Sequence, residues 1–161
     1  MSKDFLKELE YLGITARLKR MSDSISYSIK ELYKHENIDI EPSWHLVLLI
    51  LKKHKTRTMT EISEAFNISQ PAMVRMINKI VKKGYIDIIE DKTDKRKKQL
   101  ELSKKAIKEL PKFEKIWNAG QKSIRDILKG NKEFFYSLEK FEQQLDKTDF
   151  KERALKHLKN D

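Results

Sequence analysis

A chain of 161 residues can bury one good core, or one core plus an interface that a partner subunit completes. Its 35 Lys and Arg exceed its 25 Asp and Glu by ten, and 15 bases against 7 acids lie between Lys52 and Lys105, clustering that suits neutralisation of phosphates. The absence of cysteine excludes disulfides, thiolate nucleophiles, thiol redox sensing and Cys-type zinc sites.

The N-terminus lacks an apolar signal segment, and the longest apolar run, Leu46 to Leu51, is far too short to cross a bilayer. A soluble, cytoplasmic protein is expected. Leu18, Met21, Ile25, Ile29 and Leu32 recur at steps of three and four, which predicts one amphipathic helix over roughly 3–35, frayed or bent at Gly13. A connector from Asn37 to Pro42 follows. Pro42 and Ser43 open a second helix through Trp44, Val47, Leu48, Ile50 and Leu51 to about His54, apolar on most sides and so packed between others.

Met59, Ile62, Ala65 and Phe66 supply a short buried stripe, with Thr60 and Ser63 as a partial capping signal. Asn67 marks a turn, Ser69 is the expected N-cap of the next helix, and Pro71 sits in its first turn, where no amide donor is needed. Met73, Met76, Ile77 and Ile80 give that helix a core face. Gln70, Val74, Arg75, Asn78 and Lys82 occupy the opposite face until Gly84 stops it. The β-branched run from Tyr85 to Ile89 and the alternating Lys98 to Leu102 read as antiparallel strands around a charged loop from Asp91 to Lys97. Beyond Ser103 a long apolar stripe from Ala106 to Leu128 predicts a helix, kinked at Pro111 and loosened at Gly120. A last helix carries Phe134, Phe135, Leu138, Phe141 and Leu145, and a tail holds Phe150, Leu155 and Leu158. This surplus of apolar surface argues for a dimer interface.

The order of short helix, polar-faced helix and charged hairpin is that of a winged helix-turn-helix. Ser69 and Gln70 would lie near the edge of a DNA groove, Arg75, Asn78 and Lys79 would reach bases or phosphates, and Pro71 and Val74 belong to the same DNA-binding set. Any surface helix carries a polar outer face, so the following hairpin decides the reading. Its tip offers Lys95, Arg96 and Lys97. An arginine there can enter a narrow minor groove, and Asp94 can aim its guanidinium through a charge-assisted hydrogen bond.

The run from Met59 to Ile86, followed by the D-x-R-x5-L-[ST] pattern present as Asp94, Arg96, Leu102 and Ser103, resembles the MarR family of transcriptional regulators. The resemblance implies a mainly α fold with a small β wing. Residues 37–102 would form the winged helix-turn-helix DNA-binding domain, and 1–36 with 103–161 the helical dimerisation region. It further implies a homodimer on double-stranded, pseudo-palindromic operator DNA, most simply a repressor, whose DNA binding is weakened by a small aromatic or anionic ligand. Ala72 and Val74 stand where many relatives have Thr or Ser, so hydroxyl contacts give way to an apolar one, suited to a thymine methyl.

Arg17, Tyr27, Trp44 and His45 are candidates to line a ligand pocket near the contact of the first two helices, and equally candidates for dimer packing. His35, His45, His54 and His157 lack the spacing of a helical metal pair, so no metal site and no cofactor is expected. There is no Gly-rich phosphate loop, no HExxH pair and no placed nucleophilic triad, which argues against an enzyme. A competing reading keeps the same fold but makes it a protein-binding antirepressor or scaffold acting through its aromatic-rich end.

Overall fold

The computed structural model describes residues 4–90 and 97–160 and divides into two compact units, meeting in sequence between Glu114 and Lys115. The first holds α1 (Phe5–Glu8), α2 (Ile14–His35), α3 (Trp44–His54), β1 (Thr56–Thr58), α4 (Met59–Ala65), α5 (Gln70–Lys82), β2 (Ile86–Glu90), β3 (Lys98–Leu102) and the start of α6 (Lys104–Ile127). The second holds the remainder of α6, α7 (Glu133–Lys147) and α8 (Phe150–Asn160). This is the mainly helical fold with a small antiparallel wing that the sequence predicts.

The first predicted helix is in fact two. Asp4 caps α1 by accepting from the Leu6 amide, and Arg20 grips the same carboxylate from α2 with two hydrogen bonds of 2.7 and 3.1 Å. The Arg20 guanidinium, through those bonds, holds the Asp4 carboxyl below its usual range. Gly13 is where the chain closes on itself. A Cβ there would stand 2.2 Å from the Leu6 carbonyl oxygen, so the turn between α1 and α2 admits no side chain. The amphipathic pattern from Leu18 to Leu32 is real but its stripe is not covered. Met21 and Ile25 are exposed, and within α2 only Tyr33 is buried.

The core forms where α3, α5, the sheet and the start of α6 converge. Val47, Leu48, Ile62, Met73, Ile77, Ile80 and Ala106 are fully buried, and Tyr85 packs tilted against Phe113 with ring centres 5.7 Å apart. The i, i+3, i+4, i+7 spacing of Met73, Met76, Ile77 and Ile80 produces this inward face, Met76 lying at its margin. On α3, Trp44, Val47, Leu48 and Leu51 are buried, but Leu46 and Leu49 are open to solvent, so the helix is covered on one side only.

The sheet order is β1-β3-β2. The two wing strands pair antiparallel from Ile86 opposite Leu102 to Glu90 opposite Lys98. The third strand, β1, was not foreseen; it pairs with β3, placing Arg57 opposite Leu100. Its three residues are too few to show a periodicity, though Thr-Arg-Thr is β-prone.

α6 runs unbroken through Pro111 and Gly120, so neither residue ends it, and Gly130 at φ +68° closes its C-terminal turn by donating to the Arg125 carbonyl at 2.9 Å. Within α7 no residue is buried, and Phe134, Phe135 and Phe141 are exposed. No helix among the described residues is long and apolar enough to cross a membrane.

Candidate nucleic-acid interface

The interface is assembled from α4, α5 and the wing strands. α4 starts with a complete capping box centred on Thr58, not Thr60. The Thr58 hydroxyl accepts from the Glu61 amide at 3.2 Å, and Glu61 Oε2 accepts from the Thr58 amide at 2.7 Å. The Thr58 amide, and then the Thr58 hydroxyl donating to the same oxygen at 2.9 Å, hold the Glu61 carboxyl below its ordinary range. The pattern T-x-x-E was present in the sequence as Thr58 and Glu61, two residues earlier than the partial signal at Thr60 and Ser63. Ser63 has another task. It is buried, its hydroxyl donates to the Thr60 carbonyl at 2.8 Å, and it accepts from Gln70 Nε2 at 2.9 Å.

That last bond joins the two helices of the helix-turn-helix. Asn67 between them takes φ +49°, the left-handed turn expected of it. Gln70, placed at the groove edge by sequence reasoning, thus spends its amide N–H on orienting α5 against α4. Ser69 occupies the N-cap position, but its side chain makes no capping bond. Pro71 lies in the first turn and Gly84, at φ +76°, ends the helix.

Around the α5 axis the buried residues Met73, Ile77 and Ile80 define one direction, and at 100° per residue Pro71, Arg75, Asn78 and Lys82 lie opposite them. All four are exposed, and Arg75, Asn78 and Lys82 have no hydrogen-bond or ion-pair partner among the described residues. Val74 is partly exposed on one flank. Lys79 lies on the other flank, with its ammonium 3.4 Å from Glu41.

Of the wing residues predicted to meet DNA, Lys97 is described and exposed, whereas Asp94, Lys95 and Arg96 lie outside the described residues. Lys97, Lys98 and Gln99 line an open concavity of about 570 Å³ together with Thr58, Met59, Thr60 and Glu61 at the start of α4. Just before Thr58 in the chain, Arg57 Nη2 donates to His54 Nδ1 at 2.8 Å. Desolvation, then the Arg57 and Lys53 charges, push the His54 pKa down.

The candidate pocket residues sit in unlike settings. Trp44 is sealed in the core at 3% exposure, so its ring packs against protein, and His45 Nδ1 lies 2.6 Å from the Pro42 carbonyl. Tyr27 is open on α2 and Arg17 half-buried there. Among the described residues no group of three His, Asp or Glu side chains is disposed to hold a metal ion.

Comparison with known proteins places this geometry. Residues 38–97 match the profile of the MarR family. Among solved structures, the chain is similar to S. aureus MepR in complex with DNA, with a TM-score of 0.72 at 18% identity over 82% of this chain and 97% of that one. It is also similar to a mutant MarR from E. coli complexed with operator DNA, with a TM-score of 0.63 at 18% identity, covering 89% and 99% of the two chains. An organohalide-sensing transcriptional regulator in its 2,4-dichlorophenol-bound form gives a TM-score of 0.69 at 19% identity, covering 85% and 79%. No curated protein sequence matches significantly.

Proposed function

We propose, for a chain whose residues 38–97 place it in the MarR family of DNA-binding transcriptional regulators, that it is a cytoplasmic homodimeric repressor binding a pseudo-palindromic duplex with half-sites about one helical turn apart. The observation that carries this reading is the outward stripe of α5: Arg75 and Asn78 are exposed and without partners among the described residues, on a helix whose orientation the Gln70–Ser63 bond fixes. Arg75 and Asn78 suit base edges in a major groove, Val74 a thymine methyl, and Ser69, Pro71 and Lys79 the adjoining backbone. Gln70 braces the helix from within. Lys97 belongs to the basic run with which the wing, through Lys95 and an Arg96 aimed by Asp94, would follow the next groove.

The homodimer is supported by apolar side chains that the single chain leaves uncovered, on α2 at Met21 and Ile25 and on α7 at Phe134, Phe135 and Phe141. Division of labour would follow the sequence, with 37–102 reading DNA and 1–36 with 103–161 pairing subunits. Control by a small aromatic or anionic ligand rests on the fold shared with the dichlorophenol-bound regulator, with Arg17, Tyr27 and His45 as the nearest candidates for contact.

Selection of bound fragments from a genomic DNA pool, followed by anisotropy titrations of the selected duplex across salt concentrations, tests the reading. Tight, salt-dependent binding that favours the selected duplex over an unrelated one is expected. Absence of binding at every salt concentration overturns it. The scaffold reading draws on the same uncovered aromatics of α7, and Arg75→Ala with Arg96→Ala separates the two: a DNA regulator loses function and a scaffold does not.

A further inference from the structure

The connector between α2 and α3 carries a feature that the DNA-binding reading does not use. Ile40 is buried, while Asp39 and Glu41 on either side of it are exposed. Lys83 Nζ lies 2.7 and 2.9 Å from the two Asp39 carboxylate oxygens, and Lys79 Nζ lies 3.4 Å from Glu41 Oε1. The spacing matches for a simple reason. Two residues of unwound chain span at most about 7 Å, and the four residues separating the lysines rise about 6 Å along a helix. With Ile40 anchored in the core, its neighbours present two carboxylates at the pitch of successive turns of α5.

The connector is held from other sides as well. Its Ile38 amide donates to the Tyr33 carbonyl at 2.8 Å, and Lys112 Nζ of α6 donates to the Asn37 carbonyl at 3.3 Å. The acids therefore cannot drift far from the helix. Lys79 and Lys83 are drawn to the flank of α5, away from the stripe of Arg75, Asn78 and Lys82.

We infer that Asp39 and Glu41 act as an electrostatic brake on DNA affinity, occupying two recognition-helix lysines that would otherwise neutralise phosphates. The inference rests on the DNA-binding reading above. Exposed ion pairs are individually weak, yet each competes with a phosphate for its lysine, and a carboxylate that stays within the screening length of about 10 Å at 0.1 M salt offsets the lysine charge that the DNA would meet. Both effects lower affinity, and neither reads sequence.

The double variant Asp39→Asn with Glu41→Gln tests this by anisotropy titration against the selected duplex and an unrelated one. Each freed lysine at a phosphate steepens the slope of log K against log salt by about 0.9. The slope should therefore become steeper by up to about 1.8, and binding at low salt should tighten about tenfold or more. Both duplexes should gain alike, because phosphate contacts are blind to sequence. In a background carrying Lys79→Gln and Lys83→Gln the gain should shrink to a small remainder. A slope and affinity unchanged by the double variant, or a gain that persists undiminished without the lysines, overturns the inference while leaving the regulator reading intact. Wild-type protein that binds no duplex overturns both. The four positions are exposed, so an unchanged melting temperature is expected and confirms that each variant is folded.

Discussion

The phenol of Tyr85 donates to Glu109 Oε2 at 3.0 Å, and Lys105 Nζ, 3.9 Å from the centre of the same ring, donates to the Lys83 carbonyl at 2.9 Å. The residue directly after Gly84, which ends α5, is thereby clamped by the first turns of α6. Ser103 closes the joint: its hydroxyl donates to the Gly84 carbonyl at 2.6 Å and accepts from the Ala106 amide at 3.0 Å. The end of α5, the root of the wing and the start of α6 are thus one rigid node.

Tyr85→Phe removes the donor and leaves Glu109 without that bond. A hydrogen bond to a charged group is worth roughly 1.5–3 kcal/mol, and the partial exposure of Glu109 puts the expected loss near the lower end. Urea unfolding should show it as a lower midpoint at unchanged slope. Burial, and then Glu109, push the Tyr85 pKa well above the ordinary phenol value. The folded state therefore holds its proton where the unfolded chain releases it, so stability should fall as pH rises past about 10. Tyr85→Phe should remove this part of the alkaline loss, a difference read from melting curves of both proteins between pH 8 and 11.

Thr58→Ala should cost about 1 kcal/mol, since it strips the cap from α4. The other half of the box is pH-dependent. The folded pKa of Glu61 is lowered, so its contribution is present above the unfolded carboxylate value of about 4.5 and is lost as pH falls through the folded one. Glu61→Gln should flatten the acid limb of the stability curve below that value, and an unchanged limb would show the box to be energetically silent.

Ile77→Ala places a cavity behind the centre of the recognition helix. A fully buried isoleucine truncated to alanine costs about 2–5 kcal/mol. Thermal unfolding measures it, and a loss below 1 kcal/mol would mean that α5 is less firmly seated than its burial indicates.

Arg75→Ala should weaken binding to the selected duplex by about 1–3 kcal/mol and relax preference at one base position, while Lys97→Ala should weaken all duplexes alike and reduce the salt slope by about 1. Titrations against a set of single-base variants distinguish the two patterns.

Phe134→Ser combined with Phe141→Ser should shift the protein from dimer to monomer in sedimentation velocity, because apolar area left open by one chain is what a second copy would cover. A wild-type protein that sediments as a monomer at high concentration would remove the dimer from the proposed function.

Much of the DNA-reading unit was legible because its signals are local. Ser69, Pro71 and Gly84 delimit α5 within one residue, the 3.6-residue period of Met73, Ile77 and Ile80 orients it, and the alternation around Leu100 marks the wing strand. The break at Gly13 was visible only as a weakness, since a lone glycine does not say that the Leu6 carbonyl will press against it. The cap at Thr58 was written in the sequence but lay two residues before Thr60, where the partial capping signal was read. β1 was hidden because a three-residue strand acquires its identity from its partner.

Composition, periodicity and turn chemistry by themselves determined a basic, cysteine-free, mainly helical chain with a winged helix-turn-helix and apolar ends, because each of these follows from neighbours within about one turn or one hairpin. The pairing of Lys83 with Asp39 and of Lys79 with Glu41, 44 and 38 residues away, and the diversion of Gln70 to Ser63, were decided only when the chain closed. Charge in a sequence has sign but no address, and which cation is left to meet a phosphate depends on the acids that folding brings beside it.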